Sequence, residues 1–124
     1  MTEVEFEFEG EDPTELRTLL QNQNASDIEV VSEEGLLPIL GIVIAALIGI
    51  NGLITIVTRL TRLWSCGIIV DARTSTIRTK KDCDLPRGAV LVFAVDGTQY
   101  RLHEPTETDL AKLIGGPIGK LATS

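Results

Sequence analysis

Residues Leu36–Val57 read LLPILGIVIAALIGINGLITIV and dominate the fold predicted for this chain. It contains no charged residue, and Asn51 is its only strongly polar side chain. A helix of this length extends about 33 Å, whereas the hydrocarbon core of a bilayer is about 30 Å thick. The sequence therefore predicts a transmembrane-type apolar helix, with residues 36–64 as one unit of the chain.

The residues after this run are of types found at membrane interfaces. Arg59, Arg62 and Trp64 follow it closely, and basic and aromatic side chains favour the headgroup region. We predict that they mark the membrane exit. The alternative is a core helix hidden inside a soluble homo-oligomer, although such helices usually come from shorter apolar runs of about 10–14 residues.

Small residues recur along the same run. Gly41, Ala45 and Gly49 are spaced by four, so on a helix they form one face, which Gly52 extends approximately. Such a face lets helix backbones approach closely in lipid, and Asn51 beside it could hydrogen-bond to a second helix. The pattern predicts self-association through the apolar helix.

The N-terminal flank, residues 1–35, predicts an acidic β-α-β arm. Residues 3–9 alternate Glu with apolar side chains, which is typical of a strand. Asp12-Pro13 starts a short helix, and residues 27–31 give a second strand.

The C-terminal flank predicts a β-rich arm over residues 65–116, with a flexible tail at 117–124. Asp96-Gly97 offers a tight hairpin turn between an apolar run at residues 89–95 and a partner strand at residues 98–103, and Glu104–Glu107 opens a final helix. The expected fold class is α+β: a β-α-β arm, one long apolar helix, then a β-rich arm with a hairpin and a C-terminal helix.

Charge and topology conflict in this scheme. Residues 1–35 carry eleven acids and one base, whereas residues 58–124 carry ten bases and seven acids. One membrane crossing would favour a cytoplasmic C-terminal arm. The arms nevertheless resemble parts of one sheet, which would place both on one side and make the apolar run a hairpin in the membrane. The sequence leaves both arrangements open.

No catalytic, cofactor-binding or metal-binding constellation is evident. His103 is the only histidine, and Cys66 and Cys83 have neither zinc-site nor disulfide-scaffold spacing, so free thiols in a reducing compartment are expected. Asp82 and Asp84 beside Cys83 lack further ligands for a metal. A net charge of −7 and 4% aromatic residues argue against nucleic-acid binding.

The order of elements resembles a known family. An acidic β-α-β arm, an apolar segment, then Arg62-Leu63-Trp64 and an arm containing Tyr100-Arg101-Leu102 before a helix is similar to the effector-associated constant component family of bacterial conflict (antiviral defence) systems. The resemblance implies partnership with a protease-type or nucleotide-dependent effector, and a role in signalling to the membrane or disrupting it. It transfers no individual functional residue.

These observations predict a non-enzymatic protein of the bacterial inner membrane, cytoplasmic before insertion, whose partners are lipid and further copies of itself. It would act on the membrane, by signalling or by forming pores, in antiviral defence. Two alternatives stay open. One is a membrane-anchored adaptor that recruits a soluble effector, and the other is a soluble homo-oligomeric assembly subunit with buried apolar helices.

Overall fold

The structure, a computed structural model, describes residues 2–9, 13–32 and 42–115. The helices and strands of these residues are, in chain order, β1 (Thr2–Phe8), α1 (Pro13–Asn22), β2 (Ser26–Ser32), β3 (Ile42–Ile48), α2 (Ile50–Leu63), β4 (Gly67–Asp71), β5 (Thr76–Asp82), β6 (Ala89–Phe93), β7 (Gln99–His103) and α3 (Glu107–Leu110), which a π-helical turn (Ala111–Gly115) continues.

All seven strands belong to one mixed sheet in the order β2-β3-β1-β5-β4-β6-β7. The pairs β1–β5 and β4–β6 are parallel, and the other neighbours are antiparallel. Strand β1 lies between β3 and β5, so the two sequence flanks pair directly. The two flanks therefore share one sheet, as in the second arrangement left open by the sequence, but residues 42–63 form β3 and α2 instead of the hairpin in the membrane that this arrangement included.

The predicted transmembrane helix is wrong. Residues 42–48 form β3, Gly49 is the N-cap of α2, and α2 covers only 50–63. None of the described helices is long and apolar enough to cross a membrane. The predicted architecture of two arms joined by a long apolar helix is therefore corrected to an α+β fold with a seven-stranded sheet and, in the described part of the chain, three short helices.

The error has a physical cause. Ile44, Ala46 and Ile48 are buried against the helices, while Val43 and its alternating neighbours are partly buried on the other face of β3. A strand that is apolar on both faces gives a continuous hydrophobic run, which hydropathy cannot distinguish from a helix. The predicted inner-membrane location, lipid contact and membrane-acting function depended on that helix and lose their support. Residues 36–41 lie outside the described residues.

The core lies between one face of the sheet and the helices. Phe6 of β1 is fully buried, and Leu16 of α1, Leu60 of α2 and Leu110 of α3 close over the same face. Each such side chain stabilises the fold by about 1.5–3 kcal/mol relative to exposure. The α2 residues once expected to face lipid therefore pack against their own sheet.

Cys66 and Cys83 form a disulfide, so the prediction of free thiols is wrong. The residues next to them, Gly67 and Asp82, are direct partners in the β4–β5 pair, and the Cα atoms of the two cysteines are 4.6 Å apart. Strand register, rather than sequence spacing, brings the two sulfur atoms together.

Candidate functional site

The face of the sheet opposite the helices is the strongest candidate site, and we call it the open face. No described residue forms a layer over it. Its centre is a charge ladder built by the two neighbouring parallel strands β1 and β5. In this register the direct partners are Glu3 and Thr76, Glu5 and Arg78, and Glu7 and Lys80.

Each rung of the ladder makes a side-chain contact. Thr76 Oγ1 donates a hydrogen bond to Glu3 Oε1 at 2.7 Å. Arg78 Nε lies 3.6 Å from Glu5 Oε1, and Lys80 Nζ lies 3.9 Å from Glu7 Oε2. Exposed ion pairs of this kind contribute only about 0.2–1 kcal/mol each. The ladder therefore adds little stability and instead displays an acidic row beside a basic row.

Half-buried apolar residues flank the ladder on both sides. We call the residues on β3 the β3 flank, and we call those on β4 and β6 the β4–β6 flank. In the sheet register, Val43 lies beside Glu7, Ile69 lies beside Lys80, and Leu91 lies beside Ile69. The β3 flank is Val43, Ala45 and Leu47, and the β4–β6 flank is Ile69, Leu91 and Phe93. The open face therefore presents an acidic strip and a basic strip between two half-buried apolar strips.

Asp71 and Arg73 hold one corner of the open face. Arg73 Nη2 lies 2.7 Å from Asp71 Oδ2, and Arg73 Nε donates to Asp71 Oδ1 at 2.9 Å. The same guanidinium stacks 4.5 Å from the centre of the Phe93 ring. The hydrogen bonds from Arg73, opposed by partial burial, hold the pKa of Asp71 below its ordinary value.

Two solvent-open depressions lie on the ladder, and neither is a closed pocket. The first, on the open face, has a volume of about 260 Å³ and is lined by Glu5, Glu7, Ile69, Asp71, Arg78, Thr79 and Lys80. The second, about 310 Å³, lies where β1 and β5 end and is lined by Glu7, Phe8, Glu9, Lys80, Lys81, Asp82 and Cys83. Within residues 2–9, 13–32 and 42–115, no group of three or more His, Cys, Asp or Glu side chains is arranged to hold a metal ion.

The residues expected to mediate helix self-association do not share a helix. Ala45 lies on β3, Gly49 precedes α2, and Asn51 and Gly52 lie in its first turn. A Cβ at Gly52 would come within 3.1 Å of the Gln23 Cβ and the Ile48 side chain, so its small size serves packing within this chain. Gly41 lies outside the described residues.

The residues expected at a membrane interface lie on or next to the short helix α2. Arg59 and Arg62 are exposed, and the Arg62 carbonyl accepts a hydrogen bond from the guanidinium of Arg87. Trp64 is 4% exposed and packs against Phe8 in the core. The tryptophan is therefore a core residue of this fold.

The single histidine lies at the end of β7. His103 Nε2 is 3.6 Å from Glu104 Oε2, and both side chains are mostly exposed. The two cysteine sulfurs are already joined to each other. Neither feature forms a nucleophile–base pair.

Sequence reasoning missed the open face as a site. Alternation in Glu3–Glu7 was visible, and a matching alternation of Thr76, Arg78 and Lys80 was also present. Their parallel register, however, joins segments more than 70 residues apart.

Comparison of this chain with family models, with curated proteins and with solved structures gave no match.

Proposed function

We propose that this protein is a non-enzymatic assembly subunit that forms a dimer with a second copy of itself through the open face. The charge ladder carries the proposal, because its acidic and basic rows lie side by side and in register. A surface of this kind can be complementary to itself.

A two-fold axis would relate the two copies of the open-face dimer. A two-fold axis running parallel to the strands, midway between β1 and β5, exchanges the two rows while keeping the position along the strand. It would set Glu5 of one copy opposite Arg78 of the other, and Glu7 opposite Lys80. Two-fold dimers of this isologous type are the commonest protein oligomers.

The apolar flanks follow the same symmetry. The rotation that exchanges β1 and β5 also brings β3 of one copy over β4 of the other, so Val43 would contact Ile69. Under this axis the six strands from β2 to β6 overlap in the two copies, and β7 lies outside the contact. Six strands spaced about 4.8 Å apart and about 20 Å long give a shared face of roughly 580 Å². Specific interfaces begin at about 600 Å² per partner, so the shared face lies at the lower end of that range.

The ladder and the flanks would have different roles. Removing charges from water costs free energy that ion pairing repays only partly. The opposed charges would therefore orient the two copies and select the partner. The apolar flanks would supply most of the affinity.

A charge-swap experiment tests the proposal. One variant, E5K/E7K, makes both rows basic, and the other, R78E/K80E, makes both rows acidic. Sedimentation equilibrium should show that the unaltered protein is dimeric at concentrations from about 1 to about 100 µM. Each variant alone should be monomeric because like charges would oppose, whereas an equimolar mixture should form a 1:1 heterodimer.

The matched control is R59E/R62E, which reverses two exposed charges on α2 and leaves the open face intact. Circular dichroism should show that every variant is folded. A monomeric unaltered protein, or variants that remain dimeric alone, would refute the open-face dimer.

Membership of the effector-associated constant component family stays a prediction, and so does an effector protein as a further partner. Co-expression with a candidate protease-type or nucleotide-dependent effector, followed by co-purification, tests it. Co-purification of the two proteins that persists at high salt supports the prediction, and elution of the two proteins in separate fractions counts against it.

A further inference from the structure

The outer edge of β7 offers a second, independent interaction surface. Ala94 N–H donates to the Thr98 carbonyl at 2.9 Å, and Glu104 N–H donates to the Gly88 carbonyl at 2.7 Å. In an antiparallel pair, residues directed at the neighbouring strand alternate with residues directed away from it. The N–H and C=O groups of Gln99, Arg101 and His103 therefore point outward.

Strand β2, at the opposite edge of the sheet, is protected against the addition of another strand, whereas the described residues give β7 no such protection. Strand β2 has a register shift between Ser26 and Glu29, and Asp27 between them has a positive φ of 53°. Such irregularities and acidic side chains discourage the addition of another strand. The β6–β7 pairing is regular over all five residues of β7, which contains neither proline nor an acid.

The side chains of β7 differ between its two faces. On the helix side, Tyr100 is 37% exposed and Leu102 is half-buried. On the open face, Arg101 and His103 project from alternate positions. Within the described part of the chain, the guanidinium of Arg101 has no carboxylate partner.

We propose that the β7 edge binds an extended segment of another protein in which apolar and acidic residues alternate. The segment would add as an eighth, antiparallel strand, using the outward backbone groups of Gln99, Arg101 and His103. Its apolar side chains would cover Tyr100 and Leu102. Its acidic side chains would lie beside Arg101.

Charge selects this occupant over a second copy of the chain. Antiparallel pairing of β7 with the β7 strand of a second copy would place the Arg101 side chains of the two copies close together on the open face. Like charges on neighbouring strands are unfavourable. An acidic alternating segment instead neutralises Arg101.

The probe is a fluorescein-labelled nine-residue peptide of alternating Glu and Val, with a Lys and Val peptide as the charge control. Fluorescence anisotropy should show saturable binding of the acidic peptide and at least tenfold weaker binding of the basic one. Arg101→Glu should weaken the binding of the acidic peptide at least tenfold. The matched control, Arg59→Glu, reverses a charge on α2 and should bind as the unaltered protein does.

A backbone variant separates strand addition from charge attraction. Gln99→Pro removes one outward N–H and carries no charge change, and proline is tolerated where an edge N–H faces solvent. Circular dichroism should show an intact fold, with binding reduced at least tenfold. Binding that is insensitive to Gln99→Pro, or equal for both peptides, would overturn the proposal.

The two proposals fail in different ways. The charge-swap variants of the open face leave β7 unaltered, so their effect on dimer formation does not bear on peptide binding. If Gln99→Pro abolishes dimer formation while the open-face variants do not, the β7 edge belongs to a second copy, and the peptide proposal is refuted.

Discussion

Phe8 and Trp64 pack with their ring centres 5.4 Å apart and their planes inclined by 36°. Phe8 ends β1, an inner strand of the sheet, and Trp64 follows the last residue of α2. The contact therefore holds the C-terminal end of α2 against an inner strand of the sheet. This helix includes residues that were predicted to lie in a membrane. It also gives the only tryptophan of the chain a structural role.

Replacing this tryptophan tests its place in the core. Trp64→Ala should lower the free energy of unfolding by about 3–5 kcal/mol, because it removes a buried aromatic side chain and leaves a cavity. Urea unfolding followed by circular dichroism measures the loss. Leu63→Ala is the control, since Leu63 is 46% exposed and should change stability by less than about 1 kcal/mol. Equal effects at both positions would contradict a buried Trp64.

Thr79 offers a stabilising substitution. Its side chain is fully buried, and Oγ1 has no hydrogen-bond partner among the residues that the structure describes. Thr79→Val keeps the shape and removes the unsatisfied hydroxyl, so we expect a gain of about 1–3 kcal/mol. Thr79→Ala also removes the methyl group and leaves a void. It should therefore increase the free energy of unfolding by less than Thr79→Val does, or should lower it. A valine variant that unfolds at lower urea concentration would show that the hydroxyl is satisfied.

The Cys66–Cys83 disulfide should stabilise the fold. It closes a loop with a sequence separation of 17, for which the loss of chain entropy in the unfolded state amounts to about 3 kcal/mol. Urea unfolding should show that the free energy of unfolding of the double variant C66S/C83S is lower by that amount. Dithiothreitol should lower the stability of the unaltered protein and leave that of the double variant unchanged. Free thiols in the unreduced protein, detected with a thiol reagent, would disprove the bond.

Asp71 should show a pKa that depends on Arg73. The pKa of Asp71 in the folded protein lies below its ordinary value of 3.8, so the contact stabilises the fold above that pH. This contribution is lost as the pH falls through the lowered pKa. Titration of the carboxyl carbon by NMR should show that Arg73→Ala raises the pKa of Asp71 toward the ordinary value.

Asp96 serves as the internal control in the same titration. Its pKa is lowered by the hydrogen bond that its carboxylate accepts from the Thr98 N–H, at 2.9 Å, and not by Arg73. Arg73→Ala should leave it unchanged. A shift at both carboxyl groups would indicate a general change in the fold and would count against a local effect of Arg73 on Asp71.

Much of the secondary structure could be predicted from local patterns. The expected strand over residues 3–9 corresponds to β1, and that over 27–31 corresponds to β2. The expected final helix also forms, with Thr106 as its cap: the Thr106 hydroxyl accepts from the Asp109 N–H while the Asp109 carboxylate accepts from the Thr106 N–H. These features depend on alternation or on capping over three or four residues, so they are encoded within short windows.

Local sequence patterns specify an α+β chain with an alternating first strand, a capped last helix and an apolar middle. Long-range packing makes residues 42–48 of this middle a strand and residues 50–63 a helix, because Ile, Val and Leu suit a buried strand as well as a lipid-facing helix. Tertiary pairing also decided which side chains meet. Glu5 and Arg78 form a rung, and Cys66 joins Cys83, through strand registers that no local window of sequence contains.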